Sequence, residues 1–423
     1  MALNFTRDVK LILEDPAATN RWEIPILDGF SFSQTVNSSE ITINEAGATS
    51  RRARLLFNDA LAPVEWSFST YVRPTVHNTQ SRAVEEALWG MFCGAEQYSG
   101  GIFTGNSSPA AVNAISGTTS NVFNFNNSNI SAFADGWSLY FMFEGSSDQV
   151  YKITNTVINS VSADFDIDGI ATINWSGFGA ALQDNGTTKV AATLSEGVLD
   201  TNNFIRNRLT TLTAIRDGEF NTAATIGAGA ANQPVEGRRY KITTLGSTAT
   251  NWADIGADSS PAVGEIFTAN AVAATGDGTA QQENQYGLVL TGGNITITNN
   301  ITFLTPETLG SVNQPIGHVT GSRSVSGSFT CYLNNDTDSS AELFEDLVGA
   351  TTTVTNNHRL VFAIGGTTPN LPRVEMTMLD CHLELPSHSI DDVISLETAF
   401  HALPSQIDKT DELTVKYFGR DPA

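Results

Sequence analysis

The chain of 423 residues is long enough for two or three domains. Its formal net charge is −23 with only 22 lysines and arginines, and no run of like charge appears, which excludes a protein that grips nucleic-acid phosphates. Three distant cysteines, Cys93, Cys331 and Cys381, form neither a disulfide framework nor a metal-binding spacing, and we expect buried thiols.

The N-terminal residues lack the apolar core of a signal peptide, and no segment reaches the ~18 apolar residues of a membrane span. We therefore expect synthesis in a cytoplasm and no membrane partner. Abundant Thr, Ser, Asn and Gly, together with short alternating runs of Val, Ile and Phe, predict an all-β fold with minor helix. The first of these strands is predicted at residues 9–13.

A hairpin with a long connecting loop is predicted between residues 24 and 74. Its second strand, at 64–72, places Trp66, Phe68 and Thr70 on one face, the period of a strand with one side covered. Loops longer than about 12–15 residues usually bind something or are disordered. The loop therefore either docks on a neighbouring molecule or is solvated, and its three basic residues are Arg51, Arg52 and Arg54.

A helix follows at 81–94, where Ser81 suits the N-cap, acidic residues suit the first turns and Gly94 suits the C-terminus. A strand is predicted at 137–143, and a second hairpin spans 151–177 with its turn near Asp168 and Gly169. In this hairpin Asp164, Asp166 and Asp168 alternate with apolar residues.

The acidic alternation imitates the start of an EF-hand loop. Trp175 stands at the twelfth position, where calcium binding requires a bidentate carboxylate. Strand alternation explains the pattern better than calcium, and we expect no metal or cofactor.

The same order of elements recurs in the second half of the chain. A hairpin is predicted from 293–299 and 324–332, a helix at 340–349, and a second hairpin from 374–385 and 393–400. The residues Ser328-Phe329-Thr330 stand where Ser67-Phe68-Ser69 stand in the first half. We interpret the chain as a tandem duplication of one β-domain.

A block between the two copies matches neither of them. Short strand patterns separated by glycine turns, with Ala/Gly/Thr-rich flanks, predict a small inserted β-module. The expected domains are a first copy at 1–212, the insert at 213–285 and a second copy at 286–423.

Three stretches, at 51–71, at 166–177 and at 299–306 with 315–317, resemble the major tail tube protein of long, flexible-tailed bacteriophages. The match is to the variant in which two tube domains are fused in one chain. The likeness covers both copies and fails over the insert. It implies two tandem half-barrel domains, each with one flanking helix, in a structural protein of the virion tail.

The resemblance further implies that three chains form a pseudo-sixfold ring and that rings stack into a tube. The expected partners are other copies of the chain, tape-measure and tail-end proteins, and genome DNA that passes through without specific binding. Strand alternation then assigns a set of residues to an acidic lumen: Asp164, Asp166, Asp168, Thr172, Asn174, His382 and Glu384. Phe165 and Ile167 are expected to face the outer layer.

No nucleophile elbow, zinc-protease motif or phosphate-binding glycine loop occurs, and we predict no enzyme. A second class of function is a host-surface or carbohydrate-binding module built on the insert. Tyr240, Trp252 and Phe267 would form its sugar platform, although a small module also needs such aromatics in its core.

Overall fold

The computed structural model of the chain describes residues 4–41, 54–77, 80–95, 97–99, 102–104, 107–111, 119–126, 136–145, 147–194, 203–221, 223–226, 233–235, 238–248, 250–270, 272–308, 312–336, 338–349, 358–366, 371–390 and 392–419. Within these ranges the protein is nearly all β-structure, and the predicted fold class is confirmed.

The strands up to the insert are β1 (Val9–Glu14), β2 (Arg21–Ile24), β3 (Ser31–Ile41), β4 (Leu55–Tyr71), β5 (Pro74–His77), β6 (Gln80–Ala83), β7 (Gln97–Ser99), β8 (Ile102–Thr104), β9 (Ser107–Ala111), β10 (Thr119–Asn124), β11 (Trp137–Glu144), β12 (Asp148–Phe165), β13 (Thr172–Gly179), β14 (Ala181–Asp184) and β15 (Thr211–Phe220). The later strands are β16 (Ala224–Thr225), β17 (Arg239–Thr244), β18 (Ile266–Thr268), β19 (Thr279–Tyr286), β20 (Leu290–Thr298), β21 (Ile301–Leu304), β22 (Gly317–Thr320), β23 (Ser324–Tyr332), β24 (His358–Ile364), β25 (Arg373–Leu383), β26 (Ser387–Ile390), β27 (Ile394–Leu403) and β28 (Thr414–Phe418). The described helices are α1 (Glu86–Phe92) and α2 (Ser340–Gly349), with short 3-10 turns at Thr6–Asp8 and Asn207–Leu209.

Eight strands form one continuous antiparallel sheet, in the order β3-β4-β13-β12-β20-β23-β27-β25. We call it the eight-stranded sheet. Two hairpins from the first half occupy one side and two from the second half occupy the other, in the same order. The halves join where β12 pairs with β20 over six residue pairs, from Ser160 opposite Thr298 to Phe165 opposite Gly293. The predicted recurrence of hairpin, helix and hairpin is therefore present in the strand order itself.

One face of the eight-stranded sheet packs on the core. On β4, Val64, Trp66 and Phe68 are buried, whereas the alternate residues are half-buried or exposed. The same period of two runs along β13, where Ile173 and Trp175 are buried. The indole N–H of Trp175 donates to Thr70 Oγ1 at 2.9 Å, so this buried donor is satisfied inside the core.

The longest strands pass from the eight-stranded sheet into a covering layer. The first part of β12 pairs with β11 and β14, and the first part of β25 pairs with β24 and β28. Aromatic rings join the two layers: Phe165 stacks on Phe362 at 5.3 Å between ring centroids. One cluster of buried apolar residues runs through both halves of the chain.

Two local differences from the sequence prediction concern the first helix and its neighbours. Helix α1 is only seven residues long and wholly buried, and Ser81 lies in β6, where its Oγ accepts a hydrogen bond from the Gly419 N–H. Strand β4 begins at Leu55, nine residues before the predicted strand, because the hairpin arm continues the ladder with β3.

The insert has a hydrophobic core of its own. Tyr240, Trp252 and Phe267 are each at most 5% exposed, and the Phe267 ring contacts the Tyr240 ring at 5.9 Å and the Trp252 ring at 5.8 Å between centroids. They hold the module together and are not a surface platform for a sugar, so the carbohydrate interpretation, which depended on them, is wrong in that respect. Strand β19 carries the module and pairs with β15, which connects the insert to the covering layer through β24.

Candidate inner wall and assembly edges

The face of the eight-stranded sheet that points away from the core is mostly polar, although Phe178 lies on it opposite Glu65. We call it the bare face. Its residues are mostly small: Ser31, Ser33, Glu65, Ser67, Ser69, Ser160, Ser162, Asp164, Thr172, Asn174, Ser176, Asn294, Thr296, Thr298, Ser324, Ser326, Ser328, Thr330, Ser395, Glu397, Ala399, His401, Asp380, His382 and Glu384. A sheet of a monomer can expose one polar face, but this face spans both copies without interruption.

Side chains on the bare face bond to one another across strands. Ser31 and Ser67 hydroxyls lie 2.9 Å apart, and Ser69 Oγ donates to Asn174 Oδ1 at 2.6 Å. Asn174 Nδ2 reaches Ser162 Oγ at 3.4 Å. The second half repeats the Ser31–Ser67 contact at the equivalent positions, where Asn294 Nδ2 donates to Ser328 Oγ at 3.2 Å. Short hydroxyls that satisfy one another leave a smooth polar surface with few long side chains.

The permanently charged residues among the bare-face positions named above are all acidic. Glu65, Asp164, Glu384 and Glu397 are exposed, and none of the described positions named above holds a lysine or arginine. His401 Nε2 lies 3.5 Å from Glu384 Oε1, and His382 pairs with His401 across the strands. The surface is therefore acidic, with two histidines at one side.

Five of the seven residues predicted for the lumen lie on or next to the bare face: Asp164, Thr172, Asn174, His382 and Glu384. Asp166 and Asp168 do not lie on a strand, because β12 ends at Phe165 and the chain turns at Gly169 with a φ of 107°. Both are exposed in this turn, and Asp166 Oδ1 accepts a hydrogen bond from Asn207 Nδ2 at 2.8 Å. Ile167 is also in the turn and is 45% exposed.

The serines of the bare face were missed by sequence reasoning. The signal is present on β4, where serines alternate with Trp66 and Phe68. The prediction used charged residues and therefore named the aspartates and not the serines.

The two outer edges of the eight-stranded sheet have no strand partner among the described strands. At one end β3 pairs with β4 alone, and Ser31 and Ser33 are exposed. At the other end β26, which continues the line of β25, pairs with β27 alone. Ser387, His388 and Ile390 on β26 are exposed. Unpaired strand edges of this kind are templates for pairing with another chain.

A long arm leaves one end of the sheet. It consists of the outer parts of β3 and β4, and its tip exposes Leu55, Leu56 and Phe57 by 55–67%. Arg54 at the tip is mostly exposed, with its Nε 3.2 Å from Glu40 Oε1. Arg51 and Arg52 lie outside the described residues. The corresponding connection of the second copy, β21–β22, lies beside this arm, where Leu61 N–H donates to the Asn313 carbonyl at 2.8 Å.

The opposite end of the sheet carries the hairpin turns. Asp166, Ile167 and Asp168 are exposed in the first copy, and Asp392 and Val393 are exposed in the second. The arms and the acidic turns therefore lie at opposite ends of the same eight strands. Among the described residues no group of three or more His, Cys, Asp or Glu is arranged to hold a metal ion, and no described helix is long and apolar enough to cross a membrane.

These features define a class of structural β-protein: a duplicated sheet with a polar face and edges that another chain can complete. Comparison with known proteins finds that the chain is similar to a tail tube protein of a phage. The chain is 27% identical over 428 residues to Tail tube protein pb6 of Escherichia phage T5, and the match covers 97% of this chain and 75% of the relative. No family model matches the chain. The resemblance inferred from the sequence is confirmed, because this relative is a structural tail tube protein of a phage.

Proposed function

We propose that three copies of the chain close into a ring, and that rings stack into a tube through which DNA passes. The observation that carries the proposal is the repeated strand order of the eight-stranded sheet, which ends at each side on an edge that no other described strand pairs with. Three chains would contribute twenty-four strands to one barrel. Closure removes every exposed edge, and a heterologous contact whose rotation closes gives a ring.

The junction inside the chain supplies a template for the junction between chains. Ser162 of β12 corresponds to Ser387 of β26 in the repeat. Ser162 lies opposite Asn174, Ser387 lies opposite Glu397, and Asn174 and Glu397 occupy equivalent positions in the two copies. Thr296, the partner of Ser162 across the internal junction, corresponds in the same way to Ser33 of β3. Ser387 of one copy is therefore expected opposite Ser33 of the next.

This register is tested by placing cysteines at both positions, Ser33→Cys and Ser387→Cys. Directly opposed residues in an antiparallel pair have Cα atoms about 4.5–5.5 Å apart, a distance that a disulfide spans. The native thiols are buried and at most 1% exposed, so they do not interfere. After oxidation of assembled protein we expect a covalent trimer as the largest product on a denaturing gel.

The matched control is Ser33→Cys with His388→Cys. One residue of slip turns the side chain to the other face of the sheet, so this pair is expected to stay reduced. Cross-linking of the control pair alone, or covalent products larger than a trimer from the first pair, would contradict the proposed ring.

Stacking is proposed to bring the arm end of one ring onto the turn end of the next. Arg51, Arg52 and Arg54 belong to the arm and its loop, and exposed aspartates lie at the opposite end. Opposite charge at the two ends favours one polarity of stacking and disfavours like-on-like contact of two rings.

The bare face is proposed to line the lumen as an acidic conduit. Duplex DNA carries one negative charge per ~1.7 Å, so a wall with acidic and neutral hydroxyl groups gives it no counter-charge to bind. Asp164, Glu65 and Glu397 supply the charge on the strands, and Asp166 and Asp168 lie at the rim. DNA would then slide without pausing.

Replacing Asp164, Asp166 and Asp168 with lysine in the phage tests the conduit. We expect slower genome ejection, with the delay relieved at higher salt because counterions screen the new attraction. The control replaces the exposed Asp254 and Asp258 of the insert with lysine and should eject normally. Ejection at the normal rate from the triple variant would argue against an acidic lumen.

Tape-measure and tail-end proteins are the expected heterologous partners. A stack of identical rings exposes unpaired arms at one terminus and unpaired turns at the other, so two different partner surfaces are required to end it.

A further inference from the structure

The two copies differ at the turn end of the sheet, in what lies over a tyrosine. Tyr71 ends β4 opposite Thr172, and Tyr332 ends β23 opposite Ser395, so the two tyrosines correspond in the repeat. The backbone beyond them also corresponds, since Val72 N–H donates to the Ala171 carbonyl and Leu333 N–H to the Ile394 carbonyl, both at 3.0 Å.

In the first copy the chain covers this position with its own segment at 203–209. Phe204 packs edge-on against Tyr71 at 5.4 Å between ring centroids. The Ile205 carbonyl accepts from the Ala171 N–H at 2.8 Å, and Asn207 N–H donates to the Gly169 carbonyl at 3.2 Å. Arg206 and Arg208 are exposed on this segment, beside the aspartates of the turn.

In the second copy no segment of the described residues covers the corresponding position. Tyr332 is 40% exposed and Val393 is 57% exposed. They border a cleft of about 580 Å³ that is also lined by Thr291, Asp392 and Ser395. None of the described aromatic rings stacks on Tyr332 as Phe204 stacks on Tyr71. The cleft thus offers an aromatic face, an aliphatic side chain and a carboxylate.

We propose that this cleft receives the arm tip of a second copy of the chain in the adjacent ring. The first copy shows which chemistry suits the position: an extended segment with an aromatic residue and an arginine. The arm tip has the same chemistry, with Phe57 and its neighbouring leucines next to Arg54. The inference rests on the proposed stacking and names the two surfaces that stack.

The charge of the arm tip, the length of the arm and the number of tips per ring all agree with the arm tip as the occupant of the cleft. Arg54 is a cation at the arm tip, whereas Asp392 at the cleft is an exposed anion. The arm and the cleft lie at opposite ends of the sheet. The outer six residues of each arm strand, at about 3.3 Å per residue, extend the tip roughly 20 Å beyond the rest of the sheet. Within the part of the chain that the structure describes there is one such tip and, because the first copy is self-covered, one such cleft, so a ring of three would offer three of each.

The test places cysteines at the arm tip and the cleft, Leu56→Cys with Val393→Cys. Stacking then links each chain to a chain of the next ring, and oxidised tubes should give a ladder of covalent products on a denaturing gel. The matched control is Leu56→Cys with Ile170→Cys, because Ile170 occupies the position in the first copy that Val393 occupies in the second. We expect at least tenfold less ladder from the control pair.

Equal or stronger cross-linking at Ile170, or no ladder from tubes that electron microscopy shows to be intact, would overturn the cleft assignment and leave the ring proposal standing. Failure of the unaltered protein to form tubes would overturn both. Should the cysteine variants fail to assemble, Asp392→Arg is compared with Asp254→Arg on the insert. The first should lower the polymerised fraction at least tenfold and the second should not, and equal polymerisation would refute the contact.

Discussion

A buried glutamate with a raised pKa lies beneath the C-terminal strand. Burial raises the pKa of Glu85 to about 7, although its carboxylate accepts a hydrogen bond from the Tyr417 hydroxyl at 3.1 Å and faces Arg73. Between pH 4.5 and about 7 the folded chain therefore holds a proton that the unfolded chain has released. The stability from this group is complete below pH 4.5 and is lost as the pH rises through 7, by about 3 kcal/mol.

Glu85→Gln removes this titration. Urea unfolding of the unassembled chain at pH 5 and pH 8 should show that the variant gains about 2–3 kcal/mol relative to the unaltered protein between these two values. Glu65→Gln, an exposed glutamate on the bare face, serves as the control and should show no such relative gain. An identical pH dependence for the Glu85 variant and the unaltered protein would contradict the assignment.

At the scale of single residues, period-two alternation predicted where side chains point as long as the chain stayed in a strand. It placed Asp164, Thr172 and Asn174 on the same face, and the structure does so too. The alternation fails at Asp166 and Asp168, because Gly169 adopts a positive φ and the turn takes both aspartates out of the sheet. Alternation gives direction but not the residue at which a strand ends.

At the scale of secondary-structure elements, one cross-strand pair is packed differently in the two copies. In the first copy Trp66 lies opposite Gly177, and in the second copy Gly327 lies opposite Phe400. The aromatic residue and the glycine have exchanged strands. A Cβ on Gly177 would lie 2.1 Å from the Val157 carbonyl and 2.6 Å from the Trp66 ring, so the glycine is required where the large ring packs.

Gly177→Ala and Gly327→Ala are therefore expected to destabilise the chain by about 1–3 kcal/mol each, through overpacking against a carbonyl and an aromatic ring. The Cβ of Gly327 would meet the Asn294 carbonyl at 2.1 Å and Phe400 at 2.8 Å. Gly349→Ala is the control, since nothing lies within 4 Å of its Cβ. Denaturant midpoints measure the effect, and near-neutral results at the two packed glycines would disprove this packing account.

The elements that the sequence predicted well are those with long regular periods. Helix α2 and the four hairpins of the eight-stranded sheet were expected near their observed bounds, except that β4 begins nine residues before the predicted strand. Helix α1 was predicted about twice too long, because Ser81 resembles an N-cap while its hydroxyl is used to hold the C-terminal segment. A contact across 338 residues leaves no local signal.

For the whole molecule, long-range pairings decide how the copies fit together. Strand β28 pairs with β25 of the second copy and with β10 of the first, and Tyr417 on it is fully buried against helix α1. Arg323 of the second copy lies over the Phe125 ring of the first at 3.6 Å and bonds to Glu412 at 2.9 Å. The duplication was visible in the sequence and the family resemblance implied a continuous wall, but no residue pattern predicted the register in which β12 pairs with β20.

The insert is the exception to this continuity. Its core cluster contains only its own residues, and its stem is tied to the second copy by Glu283, which bonds to Arg239 at 3.1 Å and also to Arg359 at 2.5 Å. We propose that 213–285 decorates the outside of the tube, because it joins the covering layer and not the eight-stranded sheet.

The measurement that tests the central claim most directly is a cryo-electron microscopy reconstruction of tubes assembled from the purified chain. The account predicts three chains per ring and an unbroken wall of twenty-four strands in which β26 of each chain lies beside β3 of the next, with the bare face turned inward. A ring with another number of chains, or one whose chains meet through the covering layer while β3 and β26 remain exposed, would contradict it.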